Sequence, residues 1–296
     1  MKRIVGRFLN LTVVIGLLSA CVPVFFGDDT LDEENHSLTI LNCLSNVPFY
    51  LDEYIRCVDI KVDDDYVNIV TTGLPPHNSN YYLETSPNFV EFDDTRGKDY
   101  FESPNKLEAN KLTFSVPRNP VARDIVIDEE LVDGLVTTSE YEYPPGPAGV
   151  ALDGVFLFSH LAESGGDIAQ EQYSFDAYNG HPSEDGEYHY HTASRGPLEV
   201  LRESGEIQTV TPGAAEKEIY GVMCDGTIVL GCTETDGRLP TSSEFDSQNG
   251  HVHDLLDEGG DSLIDERYHT HICPGEFPQW KNMPEIQYYT ECKILR

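Results

Sequence analysis

From about residue 37 the chain alternates short apolar runs with acidic or Gly/Pro-rich breaks, the pattern of β-strands joined by turns. Residues 37–41, 56–62 and 66–71 are the first predicted strands. Residues 111–116 alternate as another and stop at Pro117, and residues 125–127 form a further short one. Between them lie a stiff loop, Gly73-Leu74-Pro75-Pro76-His77-Asn78, and a loop-like stretch at 88–97. Residues 140–147, with three prolines and a glycine, read as a connector. Helical periodicity is nearly absent; residues 214–220 and 264–267 are the best short candidates. The expected fold is mainly β, with long loops and few short helices, and with an N-terminal β-rich part over residues 39–148.

The second half, residues 149–296, repeats itself. Gly149-Val150-Ala151-Leu152-Asp153-Gly154 matches Gly221-Val222-Met223-Cys224-Asp225-Gly226 at an offset of 72. Asp176-Ala177-Tyr178-Asn179-Gly180-His181 matches Asp246-Ser247-Gln248-Asn249-Gly250-His251 at an offset of 70, and Tyr188-His189-Tyr190-His191 matches Tyr268-His269-Thr270-His271 at 80. Three blocks in the same order define two units, 149–200 and 220–275, packed as one β-rich domain. Each reads as strand, Asp-Gly turn, apolar strand, variable loop, Asn-Gly-His turn and His-x-His strand.

In a strand, residues two apart share a face, so His189 and His191 project together while Tyr188 and Tyr190 point into the opposite side. Eight of the ten histidines fall from residue 160 onward, and seven lie in the repeats: His181, His189, His191, His251, His253, His269 and His271. Neutral imidazole suits zinc, copper, iron and nickel, so the set predicts a divalent transition-metal site, with copper or zinc first. Two arrangements are open. The two His-x-His strands can meet around one ion, or each repeat can hold its own ion with the Asn-Gly-His histidine as third ligand. Asp153 and Asp225 are candidate ligands or supports for a ligand's other ring nitrogen, and equally are hairpin-turn residues. The tyrosines read as core.

These residues resemble the signature of the bacterial YHYH-domain family. The resemblance extends to Val70-Thr71-Thr72-Gly73-Leu74-Pro75-Pro76-His77, to Phe114-Ser115-Val116-Pro117-Arg118-Asn119-Pro120, to Gly149 through Gly154, and to Tyr220-Gly221-Val222-Met223-Cys224-Asp225-Gly226 and the stretch from Asn249 to His271. It covers roughly residues 66–292 and implies an exported, mainly β domain without naming a reaction. Three places depart from the family pattern: Thr270 where the second copy often has Tyr, Ser159-His160 in place of a Gly-Pro turn, and the long acidic loop at 253–267.

Composition adds a location. Lys2, Arg3 and Arg7 precede an apolar stretch at 8–18, and Leu18-Ser19-Ala20-Cys21 resembles a bacterial lipobox. This predicts a signal peptide over residues 1–20, lipidation of Cys21, a flexible tether over 21–38, and an outer-membrane or cell-surface lipoprotein held to the membrane by its lipid. Removal of the three basic residues takes the formal charge from −33 to −36, which repels nucleic acid. The acidic stretches at 63–65 and 254–265 offer oxygen donors for calcium without the spacing of an EF-hand. Six further cysteines, Cys43, Cys57, Cys224, Cys232, Cys273 and Cys292, imply up to three disulfides in an oxidising compartment. Cys43–Cys57 is the favoured local pair, and Cys224–Cys232 with Cys273–Cys292 is one of three arrangements of the rest. G-x-S-x-G, H-E-x-x-H and phosphate-loop motifs are absent from the sequence. The leading expectation is a metal-binding envelope lipoprotein. The competing ones are a metal-dependent hydrolase or oxidoreductase at the same site, and a structural or adhesive surface protein whose histidines bind nothing.

Overall fold

The structure, a computed structural model, describes residues 54–132, 140–160, 168, 171–274 and 283–296. The expected signal peptide, tether, lipidation site Cys21, strand 37–41 and Cys43 lie outside these. These described residues belong to one compact unit.

Two sheets account for the fold. β1 (Asp59–Val62), β2 (Tyr66–Thr71) and β3 (Leu112–Pro117) form an antiparallel meander closed by the C-terminal β12 (Ile294–Leu295). In β2 burial alternates strictly, with Val67, Ile69 and Thr71 inward, as the period-2 pattern requires. The larger sheet contains the repeats. The first unit supplies β4 (Pro147–Ala151), β5 (Phe156–Phe158), β6 (Gly180–Pro182) and β7 (Tyr188–Tyr190). After α1 (Arg195–Glu203), the one α-helix among the described residues, the second supplies β8 (Ile219–Met223), β9 (Ile228–Leu230), β10 (Gly250–Leu256) and β11 (Ser262–His271). The spatial order is β10-β11-β9-β8-β4-β5-β7-β6. Each unit is therefore a hairpin, with the His-x-His strand added parallel to its second strand and the Asn-Gly-His strand antiparallel outside that.

The two units meet where β4 pairs antiparallel with β8, and equivalent residues face each other there: Val150 opposite Val222, flanked by Gly149–Met223 and Ala151–Gly221. This makes a pseudo-twofold axis through the sheet. Gly149 and Gly221 are fixed by that contact, because a Cβ on either would overlap the facing strand's backbone. One core spans both sheets, with Ile69 and Phe114 from the smaller and Val150, Phe156, Val222 and Val229 from the larger.

Three local expectations fail. Residues 125–127 form no strand, and residues 214–220 are turns running into β8. Residues 264–267 belong to β11, where pairing with β10 overrides any local helical preference. The real helix went unseen because Gly196 and Pro197 sit in it. Both fall in the first turn, where proline loses no hydrogen bond, behind the Ser194 cap that accepts from Gly196 N–H at 3.1 Å.

The cysteines pair as Cys224–Cys292 and Cys232–Cys273, which corrects the expected Cys224–Cys232 and Cys273–Cys292. Cys224 and Cys232 lie at opposite ends of the β8–β9 hairpin. Parallel β9 and β11, by contrast, carry Cys232 and Cys273 out of the sheet side by side, each two residues beyond the Leu230–His271 pair. The expected partner of Cys57 is outside the described residues. Two disulfides fit an oxidising, extracytoplasmic environment. Peptide mapping without reductant is expected to recover the 224–292 and 232–273 links. Cys224→Ser should lower unfolding free energy by about 4 kcal/mol, the loop-closure value for a closed segment of this size.

Candidate metal centres

Strand register gathers the histidines. His181 lies directly opposite His189 across the β6–β7 ladder, and His251 directly opposite His269 across β10–β11. Opposed residues share a face, and so do residues two apart, so the third histidine of each unit joins its His-x-His pair. The result is two clusters: His181, His189 and His191; and His251, His269 and His271 with Glu234. Within each, one potential ligand atom per residue lies within 4.8 Å of all the others. The His-x-His strands are five strand positions apart in the sheet, roughly 24 Å at normal strand spacing. The four His-x-His side chains do not meet at one point; each repeat builds its own site.

Hydrogen bonds at the far ring nitrogens set the chemistry. His189 Nδ1 donates to the Glu187 carbonyl at 2.8 Å and His191 Nδ1 to the Ser159 carbonyl at 2.9 Å. The second unit repeats this: His269 Nδ1 donates to the Arg267 carbonyl at 2.9 Å and His271 Nδ1 to the Gly231 carbonyl at 2.8 Å. The Ser174 hydroxyl gives its only proton to the Glu171 carbonyl (2.8 Å) and so accepts from His181 Nδ1 (2.7 Å). A carbonyl acts only as acceptor, so these neutral rings carry the proton on Nδ1 and aim a bare Nε2 inward.

The inward atoms crowd one another. His189 and His191 Nε2 are 2.9 Å apart. Glu234 places one oxygen 3.1 Å from His251 Nε2 and 3.6 Å from His271 Nε2, and the other 3.1 Å from His269 Nε2. Two nitrogens bound about 2 Å from one tetrahedral ion would sit about 3.3 Å apart, close to these spacings. Acceptors facing acceptors repel; a cation between them removes the repulsion. Protonation is disfavoured instead. Burial, then the neighbouring imidazoles, holds His189 well below the ordinary histidine range, and burial pushes His191 down to about 3. Burial also lowers His269 despite the pull of Glu234. Burial raises the Glu234 carboxyl and contact with the three histidine rings lowers it by more, so its net shift is downward.

The walls are apolar and aromatic. Phe158 stacks on His189 at 3.6 Å, and Phe175 meets His181 edge-on at 4.9 Å. Behind the strand the tyrosines are buried as expected, each with its hydroxyl on an aspartate: Tyr188 on Asp176 (2.8 Å), Tyr190 on Asp153 (2.9 Å) and Tyr268 on Asp246 (2.6 Å). Gly180 and Gly250 let these phenols in, because a Cβ there would overlap the hydroxyl of Tyr188 or Tyr268. Asp153 and Asp225 thus belong to the tyrosine side and join neither cluster. Burial raises Asp153 to about 7 against its Tyr190 hydrogen bond, and raises Asp225 as well. Asp225 caps its own turn through Thr227 N–H (2.9 Å) and accepts from Tyr143 at 2.7 Å. Tyr143 thereby supplies the phenol that Thr270 lacks.

His253 shares the His251 face, but its Nδ1 turns to the Asp254 carbonyl at 2.7 Å and it stays outside the cluster. His77 lies on the tyrosine side, its Nε2 2.9 Å from the Tyr190 hydroxyl, and His160 stands 3.7 Å from Glu285. The acidic stretches cap turns: Asp63 accepts from Asp65, Tyr66 and Asn68, and Asp257 from Gly259 and Asp261. Neither gathers a convergent carboxylate group among the described residues. Sequence reasoning missed Glu234, and also Glu171, whose carboxylate lies 3.3 Å from His181 Nε2 and 3.7 Å from His191 Nε2. Both fall in the variable loop between the first and second matched blocks, so no spacing singled them out.

A histidine whose folded pKa is depressed leaves the unfolded chain holding more protons, so stability falls as pH drops below the unfolded value near 6.5. In chelator-treated protein, the His191 contribution alone should cost about 2 kcal/mol between pH about 6.5 and about 5, since the folded value lies lower still. Urea titrations of wild type and His191→Gln check this: the difference between their unfolding free energies should shift by that amount against wild type in acid. Comparison with known families, with characterised proteins and with solved structures finds no match for the chain.

Proposed function

We propose that this chain is a transition-metal-binding protein of the cell envelope, holding one ion in each repeat. The observation that carries the reading is the set of buried Nε2 atoms turned inward by Nδ1–H···O=C bonds, with a bare acceptor facing a bare acceptor in both repeats. A structural role for the histidines gives no reason to desolvate these nitrogens and leave them opposed, at a cost of about 1–3 kcal/mol for each unsatisfied group. Three imidazoles favour zinc or copper over calcium or magnesium. The backbone carbonyls behind them fix ring orientation as supporting groups do in known metal centres. Kinship with the YHYH-domain family belongs to the same proposal and rests on the ordered motif blocks. Lipid anchorage at Cys21 rests on the leader-like N-terminus, with the disulfides as support for export.

Protein purified without an affinity tag and analysed for metals is expected to bind two equivalents of zinc or copper, one per cluster. His189→Ala with His191→Ala should lose one equivalent, and His269→Ala with His271→Ala the other. Equal trace metal in wild type and both variants would defeat the reading. For the anchor, wild type is expected in the detergent phase of a Triton X-114 partition and Cys21→Ser in the aqueous phase.

A further inference from the structure

The two clusters differ in the fourth ligand. In the second, Glu234 completes the set: its side chain is 4% exposed and its oxygens lie against all three imidazoles. It is held from behind by Arg238, at 3.1 Å on one oxygen, and by the Glu234 N–H to Arg238 carbonyl bond that closes the turn. The Cys232–Cys273 disulfide then staples this loop to the histidine strand, two residues from Glu234 on one side and two from His271 on the other. Three nitrogens and one oxygen from the protein make a closed tetrahedron, the arrangement of structural ions.

Among the described residues the first cluster has three nitrogens only. Glu171 approaches two of the histidines at 3.3 and 3.7 Å but stands outside the mutually close set, and its side chain is 25% exposed. It is carried on the short 3-10 turn Glu171–Ser174, whose Ser174 fixes His181. No staple exists in this unit, because repeat matching puts His160 at the position of Cys232 and Ala193 at that of Cys273. The loops beside the two clusters therefore differ: one carries a locked fourth ligand, the other a partly solvent-facing carboxylate beside the ligands.

We infer that the ion of the first cluster keeps an open coordination position, filled by water or by a small exogenous anion, with Glu171 bordering it, while the ion of the second cluster is closed. This rests on the metal-binding reading. An open position beside a carboxylate is what exchange or metal-assisted reaction of a small ligand requires, and a closed one excludes both. Negative charge on Glu171 disfavours a second anion nearby, so its removal should help an anion bind.

The test is azide titration of the cobalt-loaded full chain followed by visible absorption. Wild type with two bound cobalt ions should show an azide response in one of them. That response should vanish in His189→Ala with His191→Ala and persist in His269→Ala with His271→Ala. Glu234→Gln should weaken the carboxylate ligand of the second ion and add a second response. Glu171→Gln should retain both cobalt ions and respond at roughly tenfold lower azide, a change of about 1.4 kcal/mol. Two responsive ions in wild type, or none, would overturn the inference while leaving metal binding intact. So would loss of one cobalt in Glu171→Gln, since Glu171 would then be a ligand. If wild type binds no cobalt, zinc or copper, the metal reading itself fails.

Discussion

Everything at the two centres depends on a proton placed away from them. Each His-x-His ring gives its Nδ1–H to a backbone carbonyl, one two residues back on its own strand and the other at the end of the neighbouring parallel strand. That bond orients the imidazole, fixes the tautomer and turns a lone pair inward. It also links site to fold, because the Ser159 and Gly231 carbonyls reach His191 and His271 only when β7 lies parallel to β5 and β11 parallel to β9. A register slip by one residue would exchange histidines for tyrosines on both faces.

The opposite face shows why the tyrosines accompany the histidines. A strand that aims two polar rings inward on one side needs firm packing on the other. Buried phenols supply area there, and their hydroxyls meet aspartates that would otherwise be uncompensated charges. Where the second unit replaces Tyr190 by Thr270, the phenol on the aspartate of the Asp-Gly turn comes instead from Tyr143, outside the repeat. The environment of the aspartate is kept while its source changes. This is how a duplicated unit diverges without losing its packing.

Divergence is larger on the metal side. The β4–β8 contact preserves near-symmetry at the axis, where Val150 faces Val222 and two glycines allow no side chain. Far from the axis that constraint relaxes, and the loops following β5 and β9 differ: one bears a disulfide and a buried glutamate, the other Ser159 and His160. The sites thus share three ligands set by strand register and differ in what loops add.

The mainly β class, the repeat, and nine strands in outline, three before the repeats and three in each, were readable from residues, because period-2 alternation and Asp-Gly or Asn-Gly turns are local signals. The same locality made His181 with His189 and His191 recognisable as a set, as it did His251 with His269 and His271. What residues alone left open was whether the two sets share an ion. Only sheet order decided that, by placing four strands between them. Glu234 and Glu171 come from loops with no repeated spacing, and the disulfides follow parallel neighbours rather than sequence neighbours. Asp153, Asp225 and His253 look equivalent to ligands in sequence, but face or register carries each elsewhere. The sequence by itself determined which side chains share a strand face, since that depends on backbone geometry over a few residues. Which faces meet, and what a loop brings to them, depended on long-range pairing and was decided by tertiary structure alone.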